Sequence, residues 1–115
     1  MKTEGSGKLL RIFIGESDRR GHQPLFTAIV EAARKAGLGG ATVLKGIEGF
    51  GGHSVVHAAR VFDLSSDLPV LIEIVDSEER IREFLPVLDE MVTEGLVTLE
   101  TVEVIAYRAG VPKGR

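Results

Sequence analysis

The stretch Lys45-Gly-Ile-Glu-Gly-Phe-Gly-Gly-His-Ser54 gathers the residues of this chain best suited to hold a small molecule. Four of the seven residues from Gly46 to Gly52 are glycine. Glycine reaches positive φ and lets a ligand approach backbone N–H groups closely. A phosphate there would use those N–H groups, with Lys45 or Arg60 supplying charge and His53 a phosphate or ribose contact. The same composition suits a hinge for the residues that follow. Neither the Gly-x4-Gly-Lys-Ser/Thr nor the Gly-x-Gly-x-x-Gly pattern is present to decide between the two.

His53 and His57 are four apart, so a short helix over Ser54–Ala59 would carry both imidazoles on one side. That spacing can bind zinc or copper, but no third ligand lies nearby in sequence. Two solvated loop histidines are the simpler account of the spacing. His22 precedes Pro24 and reads as a residue leading into a helix. Glu16, Asp18, Arg19 and Arg20 form a charged turn. Acid–base work by its carboxylates would need an apolar pocket to shift a pKa, and none is evident. Glu16 or Glu48 as a catalytic base lacks an identifiable partner. The chain therefore reads as a binding or sensing module with no catalytic residue.

The chain's 115 residues make one domain, and 43% hydrophobic content is enough for a core. No run approaches the ~18–20 apolar residues of a membrane helix. The absence of cysteine removes disulfides and thiolate metal sites. A net charge of −3 and only 5% aromatic residues argue against nucleic acid as a partner. Residues 1–7 are polar, lack the apolar core of a signal peptide and read as a flexible leader, so a cytoplasmic location is expected.

The elements that must position these residues follow from periodicity. Lys8–Gly15 reads as a first strand. Pro24 fits the first turn of a helix, and Leu25, Ala28, Ile29, Ala32, Ala33 and Ala36 recur at helical spacing up to a stop at Gly37. Ala41–Phe50 is a second strand, residues 51–67 a long connection, and Leu68–Asp76 a third strand. Asp76 or Ser77 caps a second helix, with Asp76 and Glu79 at capping-box spacing. Its apolar face is Ile81, Phe84, Leu85, Leu88, Met91 and Val92, and Gly95 ends it. Val97–Tyr107 is the fourth strand, within a single domain over 8–108, and residues 109–115 are a flexible tail.

This βαββαβ order predicts an α+β, ferredoxin-like fold: a four-stranded antiparallel sheet in order 4-1-3-2 with both helices on one face. At one sheet edge it brings together Glu16–Gln23, Gly46–Asp67 and Thr93–Thr98, placing Glu16, Asp18, Arg19, Arg20 and Glu94 near the glycines. Alternation sends Leu10, Ile12, Ile14, Val70, Ile72, Ile74, Val102 and Val104 toward the helices. The open face then carries Leu9, Phe13, Leu71, Val75, Ile105 and Tyr107, with Arg11, Glu73 and Glu103 free to pair. So much contiguous apolar surface predicts a homo-oligomer that buries it.

The segments Leu-Arg-Ile-Phe-Ile-Gly-Glu (10–16), Pro-Leu-Phe-x-Ala-Ile-Val (24–30), Gly-Ala-Thr-Val (40–43), Gly-Ile-Glu-Gly-Phe-Gly (46–51) and Ser-x-Asp-Leu-Pro-Val (65–70) resemble a known family. So do Phe-Leu-Pro-x-Leu-Asp-Glu-Met-Val (84–92), Glu-Gly-Leu-Val-Thr-Leu-Glu (94–100) and Val-Glu-Val-Ile-x-Tyr (102–107). The family is "domain of unknown function 190", similar to PII-like signalling proteins, and the match spans nearly all of residues 8–108. The resemblance implies a homotrimer with sheets facing the three-fold axis and an adenine nucleotide (AMP, ADP or ATP) bound between subunits. It implies signalling through residues 51–67 to a protein partner such as a membrane transporter or an enzyme. Gly46, Gly49, Phe50 and Gly51 are the matching ligand residues, with Lys45, His53 and Arg60 beside them. The chain departs from PII in two places. Glu94-Gly95-Leu96-Val97 replaces the glycine- and lysine-rich phosphate loop, and residues 51–67 hold no tyrosine.

Overall fold

In the computed structural model, which describes residues 5–52, 57–58 and 67–110, β1 (Gly5–Gly15) runs through the middle of a four-stranded sheet. Its alternate residues Leu10, Ile12 and Ile14 are buried, so the period-two pattern fixes which face meets the helices. A two-residue hairpin follows, β2 (Arg19–Arg20) against β3 (Gln23–Pro24), turning at Gly21, whose φ is +64°. Then come α1 (Leu25–Lys35), β4 (Thr42–Lys45), β5 (Glu48–Gly49), β6 (His57–Ala58), β7 (Pro69–Asp76), α2 (Glu78–Met91) and β8 (Leu96–Val104).

The main sheet has the order β4-β7-β1-β8, with every neighbour antiparallel. Reading the four main strands in chain order, this is the expected 4-1-3-2 arrangement. Both helices pack on one face. Leu25, Ala28, Ile29 and Ala33 of α1 and Ile81, Phe84, Leu88 and Met91 of α2 close over Leu10, Ile12, Ile14, Val70, Ile72 and Ile74. Each fully buried Leu, Ile or Phe contributes about 1.5–3 kcal/mol of transfer free energy, which makes this layer the main source of stability.

Helix α1 stops where glycine permits. Gly37 has φ +83°, the Leu38 N–H donates to Ala33 O and the Gly37 N–H to Arg34 O, a Schellman closure. At its start Pro24 is the residue before the helix rather than part of its first turn. Helix α2 is capped by Ser77, whose Oγ accepts the Arg80 N–H at 3.3 Å. Asp76 does not cap that helix. It is buried and accepts the N–H groups of Gly39 (2.8 Å) and Ser77 (2.7 Å), tying the α1–β4 loop to the end of β7. The helix ends at Met91, before Gly95; that glycine sits in the turn into β8 with φ +149°.

The fourth strand corrects the sequence reading. It spans Leu96–Val104, and its pairing with β1 sets Leu10 opposite Leu99 and Ile12 opposite Val97. Directly paired residues share a face, so Val97 and Leu99 lie on the helix side. Val102 and Val104 therefore lie on the open face, the reverse of the expectation, and Glu103 lies on the helix side. Arg11 pairs with Glu73 at 3.0 Å and with Glu100, not Glu103. Tyr107 lies past the strand, and its hydroxyl donates to Gly39 O at 2.8 Å. It is not an open-face residue. The alternation that misled was real, but an apolar–polar pattern in a half-exposed strand reads equally well in either phase.

Candidate functional site

The ends of β1 and β4 and the starts of β7 and β8 meet at one sheet edge, and the three expected segments converge there. Lys45 Nζ lies 2.9 Å from Glu16 Oε2. The Glu16 N–H donates to Leu68 O at 2.8 Å, and the Ser17 N–H to Asp67 Oδ1 at 2.7 Å. Gly15 leaves room for that carboxylate: a Cβ would lie 2.7 Å from Asp67 Oδ2, so the Asp67 side chain would have to shift. Asp18 closes the turn by accepting the Gly15 N–H at 2.9 Å through Oδ2 and the Leu25 N–H through its carbonyl O.

The glycine segment is built on Pro69. The Gly46 N–H donates to Pro69 O at 2.7 Å. A Cβ on Gly46 would lie 2.8 Å from Pro69 Cγ, and one on Gly49 would lie 3.0 Å from the same atom. Gly51 and Gly52 face open space. None of these four glycines adopts a positive φ. Close packing, not left-handed backbone, explains the first two, and the Gly46 N–H is already committed within the protein. Beyond Lys45 the segment turns its apolar side chains to solvent: Ile47 is 78% exposed and Phe50 65%. An exposed aromatic ring, an exposed lysine and open glycine backbone thus lie within a few residues of one another, a combination that suits a ligand with an aromatic base and a phosphate.

Glu48 and Gly49 pair with Ala58 and His57 as a short antiparallel ribbon. Of the span Ser54–Ala59 expected to be helical, His57 and Ala58 are strand and the rest lies outside the described residues, so the helical argument for two imidazoles on one side loses its His57 end. His53 and Arg60 lie outside the described residues. Among the described residues, no group of three or more His, Asp or Glu side chains could hold a metal ion.

Arg19, Arg20, Asp18 and Glu94 come together at a groove. With Leu25, Glu90, Met91 and Thr93 they line an open groove of about 390 Å³ between the β2–β3 hairpin and the end of α2. Pro69, Asp67 and this groove escaped the sequence reading. The signal for Pro69 was available: Gly46 and Gly49, three apart, meet one ring at the start of the third strand.

Comparison with known proteins fits this architecture. The model of the DUF190 family, described as "Uncharacterized ACR", matches residues 7–104. A UPF0166 protein of Aquifex aeolicus (strain VF5) is 43% identical over 98 residues, covering 85% of this chain and 92% of its own. One from Methanocaldococcus jannaschii is 39% identical over 93 residues, covering 80% and 85%. Among solved structures, a candidate PII-like signaling protein from Thermus thermophilus superposes with a TM-score of 0.64 at 20% identity, over 88% of this chain and 91% of that one. CPII from Thiomonas intermedia K12, in complex with ADP and bicarbonate, gives a TM-score of 0.57 at 19% identity, over 86% and 88%.

Proposed function

The chain belongs to the DUF190 (UPF0166) family, and on that premise we propose that it is a PII-like regulatory protein that responds to an adenine nucleotide without turning it over. The observation that carries this reading is an exposed Phe50 ring and the open backbone of Gly51, five and six residues after Lys45, whose ammonium lies at the edge where three segments meet. Phe50 stacks the adenine, a contact worth about 1–3 kcal/mol per base in other proteins. Lys45 takes phosphate as a point charge, and Gly51 allows close approach. Gly46 and Gly49 shape the segment by packing on Pro69 rather than by contacting ligand. His53 and Arg60 complete the set. The fold likeness to CPII, which binds ADP, supports the ligand class.

The protein works in the cytoplasm as a homotrimer whose open sheet faces are turned toward one another. The row Leu44–Leu71–Phe13–Leu96 crosses all four strands of that face, and Leu9 and Val75 lie further along it. Among the described residues no helix is long and apolar enough to cross a membrane. Residues 51–67 carry the signal to a protein partner, a transporter or an enzyme. The turn at 15–18 touches both Lys45 and Asp67, so it links the ligand side chain to the far end of that segment.

The test is thermal unfolding with AMP, ADP and ATP, on wild type and on Phe50→Ala and Gly51→Val. A ligand that binds only the native state at a hundredfold excess over its Kd adds about 2.7 kcal/mol. An adenine-nucleotide shift in wild type that both variants lose supports the reading. Its absence for all three nucleotides, or its survival in both variants, refutes it.

A further inference from the structure

Lys45 is the one basic residue between positions 45 and 52, and it is already engaged. Its Nζ lies 2.9 Å from Glu16 Oε2, with both side chains partly open to water, Lys45 at 56% and Glu16 at 37% exposed. The Glu16 backbone is held by its N–H bond to Leu68 O. The neighbouring Gly46 N–H is spent on Pro69 O. An arriving anion therefore finds a lysine whose charge is matched by a resident carboxylate, and no free Gly46 N–H to help it.

We propose that Glu16 is a built-in competitor for anions at Lys45, and that it sets which anions this edge accepts. A singly charged carboxylate or similar ion gains nothing by displacing Glu16, because it offers Lys45 the same charge and fewer fixed contacts. A pyrophosphate group offers more charge and more acceptor oxygens, so it alone repays the exchange. On binding, the Lys45 ammonium passes from Glu16 to the phosphate, and Glu16 turns out to water. The consequence is selectivity for di- and triphosphate groups over monoanions. This inference rests on the phosphate part of the functional reading and makes no use of the adenine.

The experiment is calorimetric titration of inorganic pyrophosphate, and separately of acetate, into the full chain. The proteins are wild type, Glu16→Gln, Lys45→Gln, the double variant and Glu83→Gln. The last makes the same charge change on the exposed face of α2. Thermal unfolding of each checks that it is folded. Exposed ion pairs of this kind set the expected gain: Glu16→Gln binds pyrophosphate more tightly than wild type, by up to about fivefold. Glu83→Gln changes it less, both Lys45 variants lose it, and acetate competes with pyrophosphate in Glu16→Gln but not in wild type. The proposal is overturned if Glu16→Gln binds no more tightly than Glu83→Gln. It is overturned too if tight binding survives in the double variant, or if neither wild type nor Glu16→Gln binds pyrophosphate. ADP titrated into the same proteins separates the two readings. A pyrophosphate response without ADP binding removes the nucleotide reading and keeps the competitor. ADP binding that is indifferent to Glu16 does the reverse.

Discussion

Replacing Gly46 by alanine should destabilise the protein, whereas the same change at Gly51 should not. At position 46 the new Cβ would lie 2.8 Å from Pro69 Cγ and 3.2 Å from Pro69 O. Carbon atoms rest at about 3.5–4.0 Å, so the contact with Cγ is too close by at least about 0.7 Å. Neither atom can step aside easily. The ring is rigid, and the carbonyl both begins β7 and accepts the Gly46 N–H at 2.7 Å. Relief means moving the segment outward and stretching that hydrogen bond. Overpacking of this kind costs about 1–3 kcal/mol. Against it stands a gain of about 0.4–1 kcal/mol from restricting the unfolded chain. The net loss lies within about 0–2.6 kcal/mol, centred near about 1.3, and at about 4–8 °C per kcal/mol for a domain of this size that centre lowers the melting temperature by about 5–10 °C. Gly51 has no heavy atom within 4 Å of the added Cβ and no positive φ, so only the favourable effect remains and its melting temperature holds or rises. Gly49, at 3.0 Å from Pro69 Cγ, should fall between them. The assay is calorimetric melting of the three variants at one protein concentration, because the proposed assembly would make the midpoint depend on it. A Gly46→Ala protein as stable as wild type, or a Gly51→Ala protein that loses as much, would refute the packing account. So would strict additivity of Gly46→Ala with Pro69→Ala, since the second change removes the atom that the first one strikes.

Three further outcomes are expected. Gly95→Ala places a Cβ 2.5 Å from Phe13 O at φ +149° and should cost about 2–5 kcal/mol, read as the largest drop in melting temperature of any single glycine variant. Asp76→Ala strips the part-buried Gly39 and Ser77 N–H groups of their acceptor and should cost about 1–3 kcal/mol, checked by urea unfolding with an unchanged m-value. Phe13→Glu puts a charge into the apolar row of the open face, and on the proposed trimeric assembly it should give a folded monomer in sedimentation; a trimer that persists would show that another surface holds the copies together.

Much of the fold was legible because the two middle strands and the helices carry strong, separate periods. Leu10, Ile12 and Ile14 alternate, as do Val70, Ile72 and Ile74, and all six are buried. The helix residues Leu25, Ala28, Ile29 and Ala33 recur at helical spacing, and Gly37 marked the helix end through a conformation that glycine favours. The convergence of the segments Glu16–Gln23, Gly46–Asp67 and Thr93–Thr98 at one sheet edge followed from topology alone. What was not legible is what depends on atoms meeting across the chain. The pairing of Gly46 and Gly49 with Pro69 is one case, because a glycine chosen for lack of a Cβ looks in sequence like one chosen for its φ. The roles of Asp76 and Ser77 are another. Both are good capping residues, and only the position of the Gly39 N–H assigns Asp76 to the loop. Strand four failed for a third reason: with most of its residues exposed, its sequence carries no strong preference for either face.

That reversed strand changes what the open face is made of. With Glu100 on it and Glu103 off it, Arg11 lies between two carboxylates, bonded to Glu73 at 3.0 Å and to Glu100 from the other side. The hydrogen bond from Arg11 to Glu73 raises the guanidinium pKa above its ordinary value, so Arg11 stays charged wherever the protein is folded. A charged row of Arg11, Glu73, Thr42 and Thr98 thus separates the apolar row through Phe13 from the pair Leu9 and Val75. An unpaired arginine at that place would make covering the face costly, since a lone buried charge is the expensive case. Here the partners come from the same sheet, so a second copy need supply no counter-ion and only has to match the apolar rows on either side. The cluster keeps one carboxylate in excess, however, and copies brought together would set these excess charges near one another. Assembly through this face should therefore tighten as salt screens that repulsion, the opposite of what an interface held by ion pairs between copies would do.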